Sequence, residues 1–355
     1  MKSISTKDYA IHFNSNCYIE LNNYLEASNF SKIFILVDTN THKFCLPNFM
    51  SQITSQVDFE IIEIDAGEAH KTIETCTGVW NALSELDADR KSLVINLGGG
   101  VITDLGGFVA STFRRGIKYI NVPTTLLAMV DASVGGKTGV DLGVLKNQVG
   151  VVNFSEMVLI DTEFLNTLPQ NEMRSGLAEM LKHGLIKSEN YWNELISLKT
   201  LTVADLDRLI YESVLIKKDI VEQDPTEIGL RKTLNFGHTL GHAIESYFLD
   251  NPNKPSLLHG EAISIGMILA IYISNKLTQF PDDKMEMIKS SILNLYDKIS
   301  FETQDYNAII ELLKFDKKNS HGNINFVLLE DISVPKLDCT VDNSLILEAF
   351  SYYNS

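Results

Sequence analysis

The sequence predicts a two-part α/β protein, with an N-terminal Rossmann-like parallel-sheet domain followed by a mainly α-helical domain. Short apolar, β-branched runs alternate with helix-spaced segments through the first half, the pattern of βαβ units and a parallel sheet. The second half reads as successive long helices interrupted at prolines, which stop helices. A chain of 355 residues also favours two domains of about 100–200 residues each. The boundary is expected at Leu168-Pro169, giving domains of 1–168 and 169–355.

In chain order, Lys32 to Val37 is an apolar strand ending in the polar turn Asp38-Thr39-Asn40, and Phe59 to Ile64 is a second strand. Ile73 to Leu86 carries apolar residues at helical spacing. Ser92 to Leu97 is a strand running into Gly98-Gly99-Gly100; Tyr119 to Val122 is a strand ended by Pro123; Met157 to Ile160 is another. Helices are expected over Glu172 to Lys187, Ala204 to Glu222, Arg231 to Phe248, Gly260 to Lys276 and Asp283 to Leu295. Asp224-Pro225 and the run Asn251 to Pro255 break that series, and Asn325 to Leu329 is the one strand-like segment.

Lys plus Arg is 30 against 46 Asp plus Glu, a formal charge of −16. So acidic a chain has no global field for a polyanion, which argues against nucleic acid as a partner. A small anionic substrate would need a local Lys and Arg cluster. The four cysteines, Cys17, Cys45, Cys76 and Cys339, form no CxxC pair, which disfavours a zinc ribbon or a disulfide framework. The N-terminal residues lack an apolar signal region, and the most apolar stretch, Ala262 to Ile273, is too short to span a bilayer. A cytoplasmic protein with no membrane partner is the expectation.

Three motifs carry chemistry. In SLVINLGGGVITDLGGF, Ser92 to Phe108, three glycines join a buried strand to a helix. That arrangement suits a phosphate at a helix N-terminus, with a plain glycine turn as the alternative. Thr103 holds the last glycine position, so it is not the standard GxGxxG fingerprint. In PTTLLAMVDASVGGKTGVD, Pro123 to Asp141, Asp131 stands where a P-loop needs its first glycine. What remains is Lys137, with Lys146-Asn147 nine residues later, on glycine-flanked loops. They read as phosphate contacts or as solvated lysines. In RKTLNFGHTLGHAIE, His238 and His242 share one helix face. Thr239 replaces the glutamate of HExxH, so this is no zincin. With His259 and Glu179 as further candidates, the set suits a metal with an open position, or else histidines that are simply core or surface residues.

These pieces occur in one order with GEAHKT (Gly67 to Thr72), KNQVG (Lys146 to Gly150), GLAEMLKHG (Gly176 to Gly184), DPTEIGLR (Asp224 to Arg231), HGEAISIGM (His259 to Met267) and DKK (Asp316 to Lys318). From about residue 65 to 320 the series closely resembles the 3-dehydroquinate synthase family. The resemblance implies an NAD-binding N-terminal domain, a metal-binding helical domain carrying zinc or cobalt, an active site between them, and a homodimer. The implied reaction converts 3-deoxy-D-arabino-heptulosonate 7-phosphate to 3-dehydroquinate and phosphate, in the shikimate pathway of aromatic amino acid biosynthesis. It runs by transient oxidation with NAD, phosphate elimination, reduction, ring opening and intramolecular aldol closure.

Matched position by position, the resemblance implies Glu179, His238 and His259 as metal ligands, with His242 beside the substrate. Asp131 and Lys137 fall at the reacting hydroxyls; Lys146 and Asn147 at cofactor and phosphate; Lys182 at the substrate. Arg231 and Asn235 match the carboxylate and hydroxyl contacts, with Lys217 as helper. Arg115 would reach the neighbouring subunit's phosphate site, and Lys317 or Lys318 would approach the phosphate. NAD contacts are expected from Asp38 and Asn40; Gly67, Glu68 and Lys71; Gly99, Gly100, Val101 and Asp104; Thr124 and Thr125; Lys137 and Lys146; and Phe164, Leu165, Asn166 and Thr167. Val152 and Ser155 depart from the family pattern after KNQVG, and the stretch between His242 and His259 is long, as for an extended surface loop. Sister sugar-phosphate cyclases, a glycerol dehydrogenase-type enzyme and a non-catalytic binding homologue are the alternatives. Arg231, Asn235 and Lys217 favour an anionic head group over the first, and the density of Lys and Arg on these motifs argues against a neutral alcohol for the second.

Overall fold

The computed structural model describes residues 1–143, 145–198, 202–313 and 324–355. They divide into two compact units: Met1–Pro169 with Thr202–Lys218, and Gln170–Leu201 with Asp219–Ser355.

The first unit holds β1 (Ile4–Ser5), β2 (Ala10–Phe13), α1 (Ser15–Ala27), β3 (Ile33–Asp38), α2 (Thr39–Phe44), α3 (Leu46–Ser51) and β4 (Phe59–Ile64). There follow α4 (Ile73–Glu85), β5 (Leu93–Gly98), α5 (Gly100–Thr112), β6 (Lys118–Pro123), β7 (Lys137–Leu142), β8 (Leu145–Val152) and β9 (Met157–Ile160). The main sheet runs β1-β2-β9-β6-β5-β3-β4 and is parallel except for the β1–β2 pair. Strand β3 explains its own position. Ile33, Phe34, Ile35, Leu36 and Val37 are all buried, as a strand covered on both faces requires. Ile35 pairs with Ile61 on one side and Ile95 on the other.

From β4 to β9 the order is 2-1-3-4-5 in doubly wound numbering, with the direction of winding reversing between β3 and β5. Ligands of such sheets bind outside the carboxyl ends of the strands at that reversal. Asp38 ends β3 and Gly98 ends β5, so the glycine triplet lies at the switch point.

One sequence reading needs correction here. The segments carrying Lys137 and Lys146-Asn147 are not loops: they form the antiparallel hairpin β7–β8, with Thr138 opposite Val151 and Val140 opposite Val149. Buried Thr138, Val140 and Asp141 on β7 fix one side of that hairpin, and a period-2 pattern rich in glycine hid it. The main segment of the first unit ends at Pro169, and the unit also takes in the first part of helix α8 (Val203–Gln223). Tyr211 packs on Phe13 at 5.0 Å between ring centroids. Asp207 accepts from Asn14 Nδ2 at 3.2 Å and from the Thr162 hydroxyl.

The second unit contains α6 (Gln170–Lys187), α7 (Glu189–Ser197), the end of α8, α9 (His238–Asp250), α10 (His259–Thr278), α11 (Asp282–Leu295) and α12 (Thr303–Leu312). A hairpin of β10 (Asn325–Asp331) and β11 (Val334–Thr340) and a last helix, α13 (Asn343–Asn354), complete it. The helix expected over Arg231 to Phe248 is two pieces. A 3₁₀ segment, Leu230–Asn235, stops before Gly237, whose φ of +76° no helix continues. Helix α9 therefore starts afresh at His238. Gly266 of α10 lies so close that a Cβ there would stand 2.1 Å from the Gly237 carbonyl oxygen, so these glycines set the α9–α10 spacing. Asn251 to Pro255 forms the expected surface turn, tied down by Lys254 Nζ to Asp305 Oδ2 at 2.7 Å.

Asp305 is fully buried and also accepts from the Tyr247 hydroxyl at 2.6 Å and from the Glu302 amide at 2.8 Å. Burial alone would raise its pKa; Lys254 and Tyr247 outweigh it and hold the carboxyl below the ordinary range. A carboxyl lowered on folding stabilises above its unfolded pKa, and that contribution disappears as pH falls through the folded value. Asp305→Asn should therefore cost about 1–3 kcal/mol at pH 7. In denaturant titrations the gap from wild type should close below about pH 4; a gap independent of pH would contradict this.

Candidate functional site

In the first unit the expected cofactor residues gather along the carboxyl edge of the sheet. Asp38 caps α2, its Oδ1 accepting from the amides of Asn40 at 2.9 Å and Thr41 at 2.8 Å. Gly99 is the N-cap of α5 and supplies no side-chain cap, so the first amides of α5, at Gly100 and Val101, have no side-chain acceptor at that position. Thr124 and Thr125 follow β6, and the Thr124 amide bonds Gly98 O at 3.0 Å. Phe164, Leu165, Asn166 and Thr167 form a 3₁₀ turn after β9.

Beside this edge is a network of charges. Lys71 is buried and its Nζ lies 2.7 Å from both Asp104 Oδ2 and Asn147 Oδ1. Burial opposes its charge, but Asp104 and Glu68 outweigh burial and raise its pKa. Lys146 Nζ bonds Glu68 Oε1 at 2.7 Å, and Glu68 follows Gly67, at φ +113°. The Asn147 amide bonds Asp141 Oδ1 at 2.6 Å, so the hairpin holds Lys146 and Asn147 in register with Lys71. Asp131 sits in a single π-helical turn, Ala128–Ala132, a distortion frequent at functional sites. Lys217 Nζ lies 2.6 Å from both Asp131 O and Asp131 Oδ1. Lys137 opens β7 with its side chain exposed. Arg115 is exposed at φ +69°.

In the second unit α6, α9 and α10 bring three expected ligands together. Glu179 is fully buried on α6. Its Oε1 is 3.2 Å from His238 Nε2 and 3.4 Å from His259 Nε2, yet has no hydrogen-bond partner among the described residues. Its Oε2 accepts from Lys182. Ligands about 2.0–2.1 Å from a tetrahedral zinc lie roughly 3.3–3.4 Å apart. The two separations match that spacing, and the orphaned oxygen gives a reason for them: the three atoms point at a common place rather than at one another. These residues fit a divalent ion. His242 joins the cluster, its ring centroid 5.1 Å from that of His238 and 5.7 Å from that of His259. The ligating atoms of the three histidines lie within 4.8 Å of one another.

The electrostatics follow from burial and neighbours. Burial works against charge on Glu179, but Lys182 and His238 hold it well below the usual carboxylate range. Burial, then Lys182, push His238 down. Burial would do the same to His259, but Glu245 and Glu179 carry it up to about 10.

Arg231 and Asn235 share the 3₁₀ segment. Asp224 organises the loop before it, accepting from the amides of Ile228 at 3.1 Å, Gly229 at 2.7 Å and Arg231 at 3.0 Å. Arg231 Nη1 bonds Pro225 O at 3.0 Å, and Asn235 Nδ2 bonds Glu227 Oε1 at 2.8 Å. Lys317 and Lys318 lie outside the described residues. Sequence reasoning singled out none of Asp224, Glu227, Asp141 and Glu245. Only Glu245 left a signal, falling seven residues after His238 and so on its helix face.

Comparison with known proteins agrees along the chain. A family model described as 3-dehydroquinate synthase N-terminal matches residues 61–175, and one described as 3-dehydroquinate synthase C-terminal matches 176–319. A 3-dehydroquinate synthase of Parabacteroides distasonis is 43% identical over 336 residues, 94% of each chain. Among solved structures, 2-epi-5-epi-valiolone synthase from Streptomyces hygroscopicus, with NAD+ and Zn2+ bound, gives a TM-score of 0.83 at 25% identity, covering 99% of this chain and 98% of that one. A 2-deoxy-scyllo-inosose synthase complexed with carbaglucose-6-phosphate, NAD+ and Co2+ gives 0.85 at 24% identity, covering 98% of both, and shares the fold. Among the described residues no helix is long and apolar enough to cross a membrane.

Asp224→Ala removes the acceptor of three amides. Amide exchange at Ile228, Gly229 and Arg231 should rise about tenfold or more, with the helices unchanged. Wild-type protection at those amides would show that the loop is held by something else.

Proposed function

Because the chain belongs to the 3-dehydroquinate synthase family, we propose that it converts 3-deoxy-D-arabino-heptulosonate 7-phosphate to 3-dehydroquinate and inorganic phosphate, with NAD and a divalent zinc or cobalt ion as resident cofactors. The observation that carries the reading is the convergence of Glu179 Oε1 with His238 Nε2 and His259 Nε2. When bound, NAD accepts and returns one hydride and the ion polarises the substrate oxygens, which makes the proton beside the phosphoester carbon acidic enough for phosphate to leave. There is no net oxidation: substrate and summed products are isomeric in redox state.

The chain's own residues bind, orient and neutralise. Glu179, His238 and His259 hold the ion, and Lys182, fixed against Glu179, offers a buried cation to the substrate. Asp131 and Lys137 face the reacting hydroxyls, with the Asp131 turn held by Lys217. Arg231 grips the carboxylate, and Asn235 and His242 bond hydroxyls. Lys146 and Asn147 serve phosphate and cofactor, and Lys71, Asp104, Glu68 and the amides of Gly100 and Val101 hold NAD with the remaining sheet-edge residues. Either Lys317 or Lys318 completes the phosphate site. The working form is a cytoplasmic homodimer in which Arg115 serves the partner subunit. Its exposure on strained backbone supports that role, since left-handed non-glycine residues persist where the surroundings demand them.

Phosphate release from the heptulosonate phosphate should be rapid, stop with chelator, resume with Zn2+ or Co2+, and leave no net NADH. Activity on glucose 6-phosphate or sedoheptulose 7-phosphate instead would assign a sister cyclase, and accumulating NADH a dehydrogenase. His259→Ala should lose at least about 100-fold in rate while retaining NAD binding by calorimetry; wild-type turnover would refute its role as a ligand.

A further inference from the structure

We propose that Glu245 is a positioning residue for the divalent ion: its carboxylate fixes the ring of His259 so that Nε2 faces Glu179. The inference rests on the metal reading above. Glu245 is buried on α9, and its Oε2 lies 3.2 Å from His259 Nδ1. The other ring nitrogen, Nε2, is the one 3.4 Å from Glu179 Oε1. An ionised carboxylate only accepts, so with the ion bound the Nδ1 hydrogen would point at Glu245 and leave the Nε2 lone pair for the shared centre.

The two imidazoles are pinned differently. His238 places Nδ1 3.1 Å from the main-chain oxygen of Phe236, just before the Gly237 break. Among the described residues the partner of His259 Nδ1 is a side chain, not such a carbonyl. His259 is the first residue of α10, behind an N-cap at Leu258, and its side chain is 22% exposed against 9% for His238. Both rings open their helices, but the one partly in solvent has more freedom to rotate than the more deeply buried one. The side chain that restricts it comes from the facing helix α9. Those helices are already spaced by the Gly237–Gly266 contact, so the pair is not needed to pack them. Partners of this kind, bonded to the far nitrogen of a ligating imidazole, typically change metal affinity 10–100-fold when removed.

The test is Co2+ titration of metal-stripped protein, followed by visible absorption and calorimetry, for wild type, Glu245→Gln and Glu245→Ala. Gln keeps an acceptor oxygen without charge; Ala removes both. Co2+ affinity should fall about 10-fold for Gln and up to about 100-fold for Ala, with an altered ligand-field spectrum in Ala. If Ala does not fold, the Gln variant decides. Folded variants with Co2+ affinity within twofold of wild type and an unchanged spectrum would overturn this inference alone. A wild-type protein that binds no Co2+ would overturn the metal reading with it.

Discussion

A buried carboxylate constrains the whole second unit. Glu179 has no exposed surface, and an ionised carboxyl taken out of water costs several kcal/mol unless positive partners face it. Lys182 one turn away bonds one oxygen, and His238 and His259 approach the other. Those partners come from three helices, so α6, α9 and α10 must meet at one level. The glycine at 237 restarts the chain at His238, and the glycine at 266 admits the two backbones to close range. Packing and the clustering of these side chains are then one requirement, since a wider helix spacing would separate Glu179, His238 and His259 as well as open the core.

The first unit solves a different problem by similar means. A parallel sheet buried on both faces leaves its polar chemistry to the strand ends. The winding reversal between β3 and β5 leaves a crevice there. The β7–β8 hairpin then brings Lys146 and Asn147 to Lys71 and Asp104, where opposite charges compensate in a largely buried setting. Against an overall charge of −16, these lysines are placed by local pairing with carboxylates and not by a globally basic surface.

Much of this was legible in the chain alone. Continuous apolar runs such as Lys32 to Val37 announced doubly covered strands, and the ordered motifs named the candidate ligands before any geometry. What escaped depended on long-range contacts. Gly237 reads as one glycine inside a helical period, and only its positive φ shows a new helix beginning at His238. The hairpin at Lys137 to Val152 lacks the uniform alternation that marks a strand, because its glycines lie opposite each other, Gly139 with Gly150. The first part of α8 packs on Phe13 and Asn14, a contact nearly two hundred residues away in sequence that no local pattern records. Asp224 and Glu227 act through backbone amides and a neighbouring amide side chain, which composition does not reveal.

Anomalous diffraction at the zinc edge, on crystals grown with Zn2+, tests the central claim most directly. The account predicts one strong peak about 2.0–2.2 Å from Glu179 Oε1, His238 Nε2 and His259 Nε2. A peak held by other side chains, with these three atoms turned apart, would contradict it.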